Sequence, residues 1–256
     1  MVYNFNNKTV LITGGVSGIG LDTASRYYEL DANIIICGRN KAKFQTAKDY
    51  ILQNNPKKRA EILTYQCDMS NEQEIKIMID EIKSKFDEIN IFINNCSTWF
   101  SSSILELKVE NLNDAYNNIL KSTILGTKII GSEMKNKKGD KSIINISSFA
   151  GIMPQKNSSI YACLKAAIIN FTKSSASELA QYGIRVNCIT PGVINTNMTK
   201  EYIEKNKNNL LKPISLNRFG KMKEVANGII FLSSEYANYI NGENLCITGG
   251  KYLTQE

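Results

Sequence analysis

The chain has 256 residues, 43% of them hydrophobic, with a formal net charge of +7 and no histidine. That length suits a single α/β domain over residues 1–256, and the charge permits anionic partners without requiring them. The lack of histidine excludes His-based triads, histidine zinc sites and histidine general bases, so acid–base chemistry falls to Tyr, Lys, Asp, Glu or Cys. In chain order, residues 8–13 read as a buried strand followed by glycines, and 18–30 as a helix. Residues 33–37 form the second strand, and a helix from 41 to 54 is closed by Pro56. A third strand at 61–67 leads to a helix over 70–86, with a capping box from Ser70 to Gln73 and an apolar stripe of Ile75, Ile79, Ile82 and Phe86. The fourth strand is 89–94, and a long helical region spans 109–134. Strand five is 142–147, and the next helix runs to Tyr182 and stops at Gly183. Strand six is 184–190, ended by Pro191 and Gly192; a polar, lysine-rich segment reaches Pro213; a helix at 223–234 and a strand at 243–248 close the pattern. Alternating β and α with strands apolar throughout predicts a doubly wound, Rossmann-type parallel sheet of about seven strands, with helices on both faces.

Six cysteines are scattered with no C-x-x-C pair, and read as reduced thiols, neither disulfides nor metal ligands. No metal is expected. No apolar run reaches membrane-spanning length, and the first residues run straight into a strand, leaving no room for a signal peptide. The expectation is therefore a cytoplasmic protein without membrane or nucleic-acid partners.

The first β–α turn reads Thr13-Gly14-Gly15-Val16-Ser17-Gly18-Ile19-Gly20. Glycines between a strand and a helix let backbone N–H groups approach a pyrophosphate, and the helix N-terminus supports its charge. The second strand ends Cys37-Gly38-Arg39-Asn40, with no acid to bind ribose hydroxyls. Arg39 can instead pair with a 2′-phosphate, which favours NADP(H) over NAD(H). Asp68 after the third strand is placed to accept from the adenine amino group, to cap the next helix, or both; Met69 beside it is a further cofactor-binding candidate.

Tyr161 and Lys165 stand four apart and share one helix face. An ammonium near a phenol favours the phenolate and lowers the phenol pKa, making Tyr161 a proton donor or acceptor. Ser148 lies thirteen residues earlier at a strand end, from which its hydroxyl reaches a carbonyl oxygen beside the tyrosine.

Together these pieces resemble the short-chain dehydrogenase/reductase family. The resemblance covers nearly the whole chain and rests on residues 13–20, 67–70, 94–97, 144–148, 161–165, 185–192, 216–226 and 239–250. It implies hydride transfer between a nicotinamide cofactor and a carbonyl or alcohol of a small molecule or acyl thioester, usually in a homotetramer or dimer. It makes Tyr161 the acid/base and Ser148 the group that polarises the carbonyl. Lys165 tunes the tyrosine and binds the nicotinamide ribose. It also implies that Gly14, Ser17, Gly18, Ile19 and Gly20 hold the pyrophosphate side, that Asn95 lies along the cofactor, and that Pro191, Gly192, Val193 and Thr196 contact the nicotinamide end. In this family the segment 193–215 covers the substrate.

Three departures stand out. Ser97 replaces a usual glycine, and Thr248 a frequent aspartate. Ile119 falls where the family's helical asparagine normally sits, with Asn118 one residue early, about 100° round the helix. The leading reading is an NADPH-dependent ketone reductase, with 3-oxoacyl thioesters as one substrate class. Lys135, Lys137 and Lys138 are expected near an acidic carrier's docking site. Ile119 favours an enoyl or dienoyl thioester reductase. Ile119 with Ser97 favours a catalytically impaired nucleotide-binding homologue with a structural or regulatory role, against which stand Ser148, Tyr161 and Lys165.

Overall fold

A computed structural model describes residues 3–99, 101–137, 139–251 and 253. Its strands are β1 (Thr9–Thr13), β2 (Asn33–Gly38), β3 (Ile62–Gln66), β4 (Ile91–Asn94), β5 (Lys141–Ile146), β6 (Ile184–Pro191) and β7 (Asn244–Ile247). Its helices are α1 (Gly18–Glu29), α2 (Phe44–Asn54), α3 (Glu72–Lys83), α4 (Val109–Ala115), α5 (Ser122–Met134), α6 (Ser159–Leu179), α7 (Lys200–Leu211) and α8 (Met222–Ser233). The strands pair in parallel in the order β3-β2-β1-β4-β5-β6-β7. This is the Rossmann-type doubly wound sheet that the apolar strands predict.

Strand side chains alternate faces, yet both faces are apolar, so each strand feeds two cores. Val10, Ile12, Ile34, Ile36 and Ile93 pack under α1, α2 and α8, against Tyr27, Ile51 and Ile229. Leu11, Ile35, Phe92, Ile143 and Val186 pack under α3, α5 and α6, against Ile79, Ile82, Ile130 and Ala176. Each fully buried isoleucine contributes about 2 kcal/mol of burial. The sheet reverses strand order on either side of β1, which pairs with β2 and β4. Parallel strands point all their carboxyl ends to one edge, and a crevice opens there at the reversal.

Several local expectations are corrected. The cap of α3 is Asn71, whose side chain accepts from the Gln73 and Glu74 amides, in place of the Ser70 box. Asp68 does not cap that helix either; its Oδ1 accepts from the Ser70 amide and hydroxyl at 2.8 Å each, a local turn. The expected helical region over 109–134 runs without a gap, with a π-turn at Tyr116–Lys121 joining α4 to α5. The polar segment before Pro213 contains α7, which buries only Ile203 and so carries almost no apolar period. The basic stretch at 134–141 lies between α5 and the start of β5, at the amino edge of the sheet. Ser148 lies beyond the other end of β5, whose six residues span roughly 17 Å at about 3.3 Å per residue. Lys137 there is paired with Asp87 at 2.7 Å and Lys135 sits over the Tyr182 ring, while Lys138 lies outside the described residues. Lys135 and Lys137 are therefore at the opposite edge of the sheet from Ser148.

Candidate active site

The glycine turn after β1 is held open by its own chemistry. Gly14 and Gly18 adopt φ of +65° and +56°, the left-handed region that side chains avoid. A Cβ on Gly20 would lie 2.5 Å from Asn95 Nδ2 and 2.7 Å from the Gly14 carbonyl oxygen. Asn95 in turn fixes the turn: its Nδ2 donates to the Thr13 carbonyl at 2.9 Å. The Thr13 hydroxyl accepts from the Asn95 and Cys96 amides at 3.0 and 2.8 Å. Ser17 opens α1 without a side-chain cap, and the first turn holds no acid. Its N–H groups therefore face no competing internal anion, and the cradle fits a diphosphate. Ile19 packs partly buried against the core beneath. Gly18 approaches Thr196, whose Cβ lies 4.0 Å from the position of an added Cβ. The two loops expected at opposite ends of a cofactor's phosphate–nicotinamide half thus meet across the crevice.

Arg39 is exposed beyond β2, and no carboxylate among the described residues is within ion-pair distance of it. Met69 is buried at 3% exposure, its thioether 3.7 Å from the Cys37 thiol and 3.8 Å from that of Cys67. Its side chain is therefore turned into the core. Gly192 is required by a close approach: a Cβ there would sit 2.8 Å from Thr248 Cα. Pro191 is the last residue of β6, and Val193 is buried with Ile203 and Ile214.

Ser148, Tyr161 and Lys165 come together beside the end of β5. Ser148 starts a 3-10 turn and its Oγ accepts from the Ala150 amide at 3.2 Å. Gly151 lets that turn rest directly on α6, since a Cβ would lie 2.7 Å from the Lys165 carbonyl carbon. The Ser148 hydroxyl stands close enough to the Tyr161 phenol to lower its pKa. Lys165 is 2% exposed, its Nζ donating to the Ile146 carbonyl at 2.9 Å and lying 5.7 Å from the Tyr161 ring centroid. The Ser147 hydroxyl donates to the Lys165 carbonyl at 2.8 Å and pins this turn of α6 to the strand end.

The electrostatics differ from the expectation on one point. Burial pushes the Tyr161 phenol above its ordinary value, opposed by the nearby Ser148 hydroxyl. Burial also takes Lys165 down to about 8. The ammonium faces a backbone carbonyl, so desolvation outweighs the phenolate-favouring effect expected from the pairing.

A buried polar chain that spacing does not reveal holds the site in place. Asn94 Nδ2 donates to Asn145 Oδ1 at 2.8 Å and to Thr127 Oγ1 at 3.1 Å. Asn145 Nδ2 donates to Thr172 Oγ1 at 3.0 Å. It ties β4, β5, α5 and α6 together, and every member must stay satisfied for the chain to stabilise the fold. Ile119 is buried against Ala115, Leu164, Ile168 and Tyr161, while Asn118 is partly exposed and donates to the Asp114 carbonyl. Ile119 thus occupies the face turned toward α6. Ser97 follows Cys96 in the loop beside Gly14, its hydroxyl 3.5 Å from the Thr98 carbonyl. A shallow hollow of about 290 Å³ beside β3, lined by Lys48, Tyr65 and Glu81 among others, includes none of the candidate site residues.

Comparison with known proteins follows the same outline. A family model described as Enoyl-(Acyl carrier protein) reductase matches residues 14–251. The 3-oxoacyl-[acyl-carrier-protein] reductase of Staphylococcus epidermidis is 30% identical over 247 residues, 96% of this chain and 100% of that protein. The enzyme of that name from Escherichia coli is 31% identical over 250 residues, 98% of this chain and 99% of its own. Among solved structures, levodione reductase aligns with a TM-score of 0.91 at 27% identity, covering 98% of this chain and 100% of that one. YwfH, described as an NADPH-dependent reductase of bacilysin biosynthesis, aligns with a TM-score of 0.88 at 26% identity, covering 97% and 99%.

Proposed function

The chain belongs to the short-chain dehydrogenase/reductase family, oxidoreductases acting on carbonyl and alcohol groups, and from that premise we propose that it reduces a ketone with NADPH, Tyr161 delivering the proton. The observation that carries this reading is the convergence of Ser148 and Tyr161 beside a buried lysine at the sheet's carboxyl edge. Burial keeps the phenol protonated near neutral pH, which suits a proton donor. Ser148 orients the carbonyl oxygen against Tyr161 and supports the charge that develops on it. Lys165, still largely cationic at pH 7, stabilises the phenolate left when the proton departs. Ile119 and Leu164 pack around Tyr161 and keep water from the transfer.

A single Rossmann-type domain would bind the cofactor along the edge. Gly14, Ser17, Gly18, Ile19 and Gly20 would hold the diphosphate, Arg39 the 2′-phosphate, and Asp68 with the Met69 backbone the adenine. Asn95, Lys165, Pro191, Gly192, Val193 and Thr196 would line the nicotinamide half. When bound, the nicotinamide supplies the hydride. Two curated relatives carry names for 3-oxoacyl-carrier-protein reduction, which makes 3-oxoacyl thioesters one substrate class to test. Self-association as a dimer or tetramer and a cytoplasmic location belong to the same reading. No helix among the described residues is long and apolar enough to cross a membrane.

A second reading, reduction of an enoyl thioester, is favoured by Ile119 on the α6-facing side and by the description of the matching family model. A panel of ketones, 3-oxoacyl thioesters and enoyl thioesters, assayed with NADPH and with NADH, separates these. NADPH consumption with ketones or 3-oxoacyl thioesters supports the proposal. Consumption with enoyl thioesters alone supports the second reading. Tight NADPH binding without turnover on any of them marks a homologue that binds nucleotide without catalysis.

A further inference from the structure

The loop after β4 and the start of α7 are joined by a ring contact. Trp99 and Tyr202 lie with centroids 5.4 Å apart at 48°, and each is 44% exposed. Both are anchored close to the candidate chemistry. On the Trp99 side, the Ser101 hydroxyl and the Ser102 amide both donate to the Asn157 carbonyl at 2.8 Å. Asn157, in a left-handed conformation with φ of +60°, stands four residues ahead of Tyr161. On the Tyr202 side, the Thr199 hydroxyl donates to the Ile194 carbonyl at 2.6 Å and fixes the start of α7. Ile203, next to Tyr202, is buried with Val193 and Ile214 against Phe149, the neighbour of Ser148.

One ring thus hangs from the segment leading to Tyr161, and the other from a helix resting beside Ser148. Their contact joins the Trp99 loop, tied to Asn157 ahead of Tyr161, to the helix packed beside Phe149. Ile152, Met153 and Met198 are also exposed on these segments, beside the charged Lys156, Lys200 and Glu201. Two half-exposed rings at a crevice offer flat apolar faces to a ligand at low cost in side-chain order.

We infer that Trp99 and Tyr202 are specificity-determining residues, and that the substrate is a ketone carrying an apolar ring, which packs against the Trp99 indole. The inference rests on the carbonyl-reductase reading above. It makes the straight-chain 3-oxoacyl thioesters poorer substrates than cyclic ketones.

Trp99 is the chain's single tryptophan, so its emission reports on this contact with no engineered probe. The test compares wild type with Trp99→Phe, Trp99→Ala and Tyr202→Ala, using cyclohexanone, 2-hexanone and an acetoacetyl thioester. With NADPH, Trp99→Ala is expected to lower kcat/KM for cyclohexanone at least about tenfold, chiefly through KM, and for 2-hexanone less than about threefold. Trp99→Phe recovers most of the loss, which a merely misfolded loop would not. Equal losses on ring and chain ketones, no loss, or a wild-type preference for the acetoacetyl thioester would overturn the inference. Emission separates this outcome from failure of the reaction itself. With saturating NADP⁺, where no reduction can occur, cyclohexanone should change Trp99 emission saturably in wild type, and Tyr202→Ala should shift the starting emission. If no ketone is turned over but this response is seen, the reaction assignment fails and the ring site stands. If ketones are turned over and emission does not respond, the ring site fails alone.

Discussion

Strand β5 begins and ends beside a buried lysine, and the two lysines have different surroundings. At the amino edge the fully buried Lys141 ammonium meets Glu88 at 2.7 Å. Burial alone would raise the Glu88 carboxyl, but its hydrogen bonds from Lys141 and Asn90 outweigh that and hold it below the ordinary range. Arg185, nearby on β6, is likewise satisfied, donating to the Leu232 and Ser234 carbonyls at 2.7 and 3.3 Å and facing Asp140. At the carboxyl edge Lys165 meets a backbone carbonyl, and no ion pair among the described residues includes it. Burial takes its pKa down to about 8. A paired buried charge holds a fold together; a buried charge with no counter-ion is kept at a cost to stability, and marks where charge is used.

Substitutions at the two ends should break the molecule in different ways. The largest effect is expected from Tyr161→Phe, which should lower kcat by about 10³-fold while leaving NADPH affinity and melting temperature near wild type. Lys165→Met should lower kcat by roughly 10²-fold and leave stability unchanged or raised, because an unpaired buried cation becomes an apolar side chain. Lys141→Met should do the reverse: about 2–3 kcal/mol lost in urea unfolding, with kcat of the folded protein preserved. Activity lost with Lys141 and stability lost with Lys165 would erase the distinction between the edges. Arg39→Ala should raise KM for NADPH about tenfold and leave that for NADH nearly unchanged, measured by initial rates. Equal changes would remove Arg39 from 2′-phosphate recognition.

The pH dependence should sharpen the contrast with a smaller effect. Reduction should hold steady below about pH 8 and decline above it, as Lys165 loses its proton. Stability should move the other way. The folded pKa of Lys165 lies below its unfolded value of about 10.4, so between pH 8 and 10.4 the unfolded chain binds more protons, and this group's contribution to stability rises with pH. A pH–rate profile alongside urea unfolding at each pH checks both signs.

The fold was legible because every central strand is apolar on both faces: Leu11 and Ile12, one residue apart, enter different cores. Tyr161 and Lys165 were legible because four residues on a helix is a fixed geometry. Contacts between residues distant in the chain were not. Thr13 and Asn95 are 82 positions apart, and Asn94 and Asn145 are 51 apart, so no local pattern announces either pair. Helix α7 was hidden because only Ile203 is buried in it. The raised Tyr161 pKa was hidden because spacing shows a neighbouring cation but not how deeply both groups are buried.

The most direct test of the central claim follows one atom. NADPH deuterated at the transferable position of its nicotinamide, turned over with a ketone substrate, should leave deuterium on the carbinol carbon of the alcohol product. Deuterium found instead on the β-carbon of a saturated thioester, with ketones left untouched, would contradict the account.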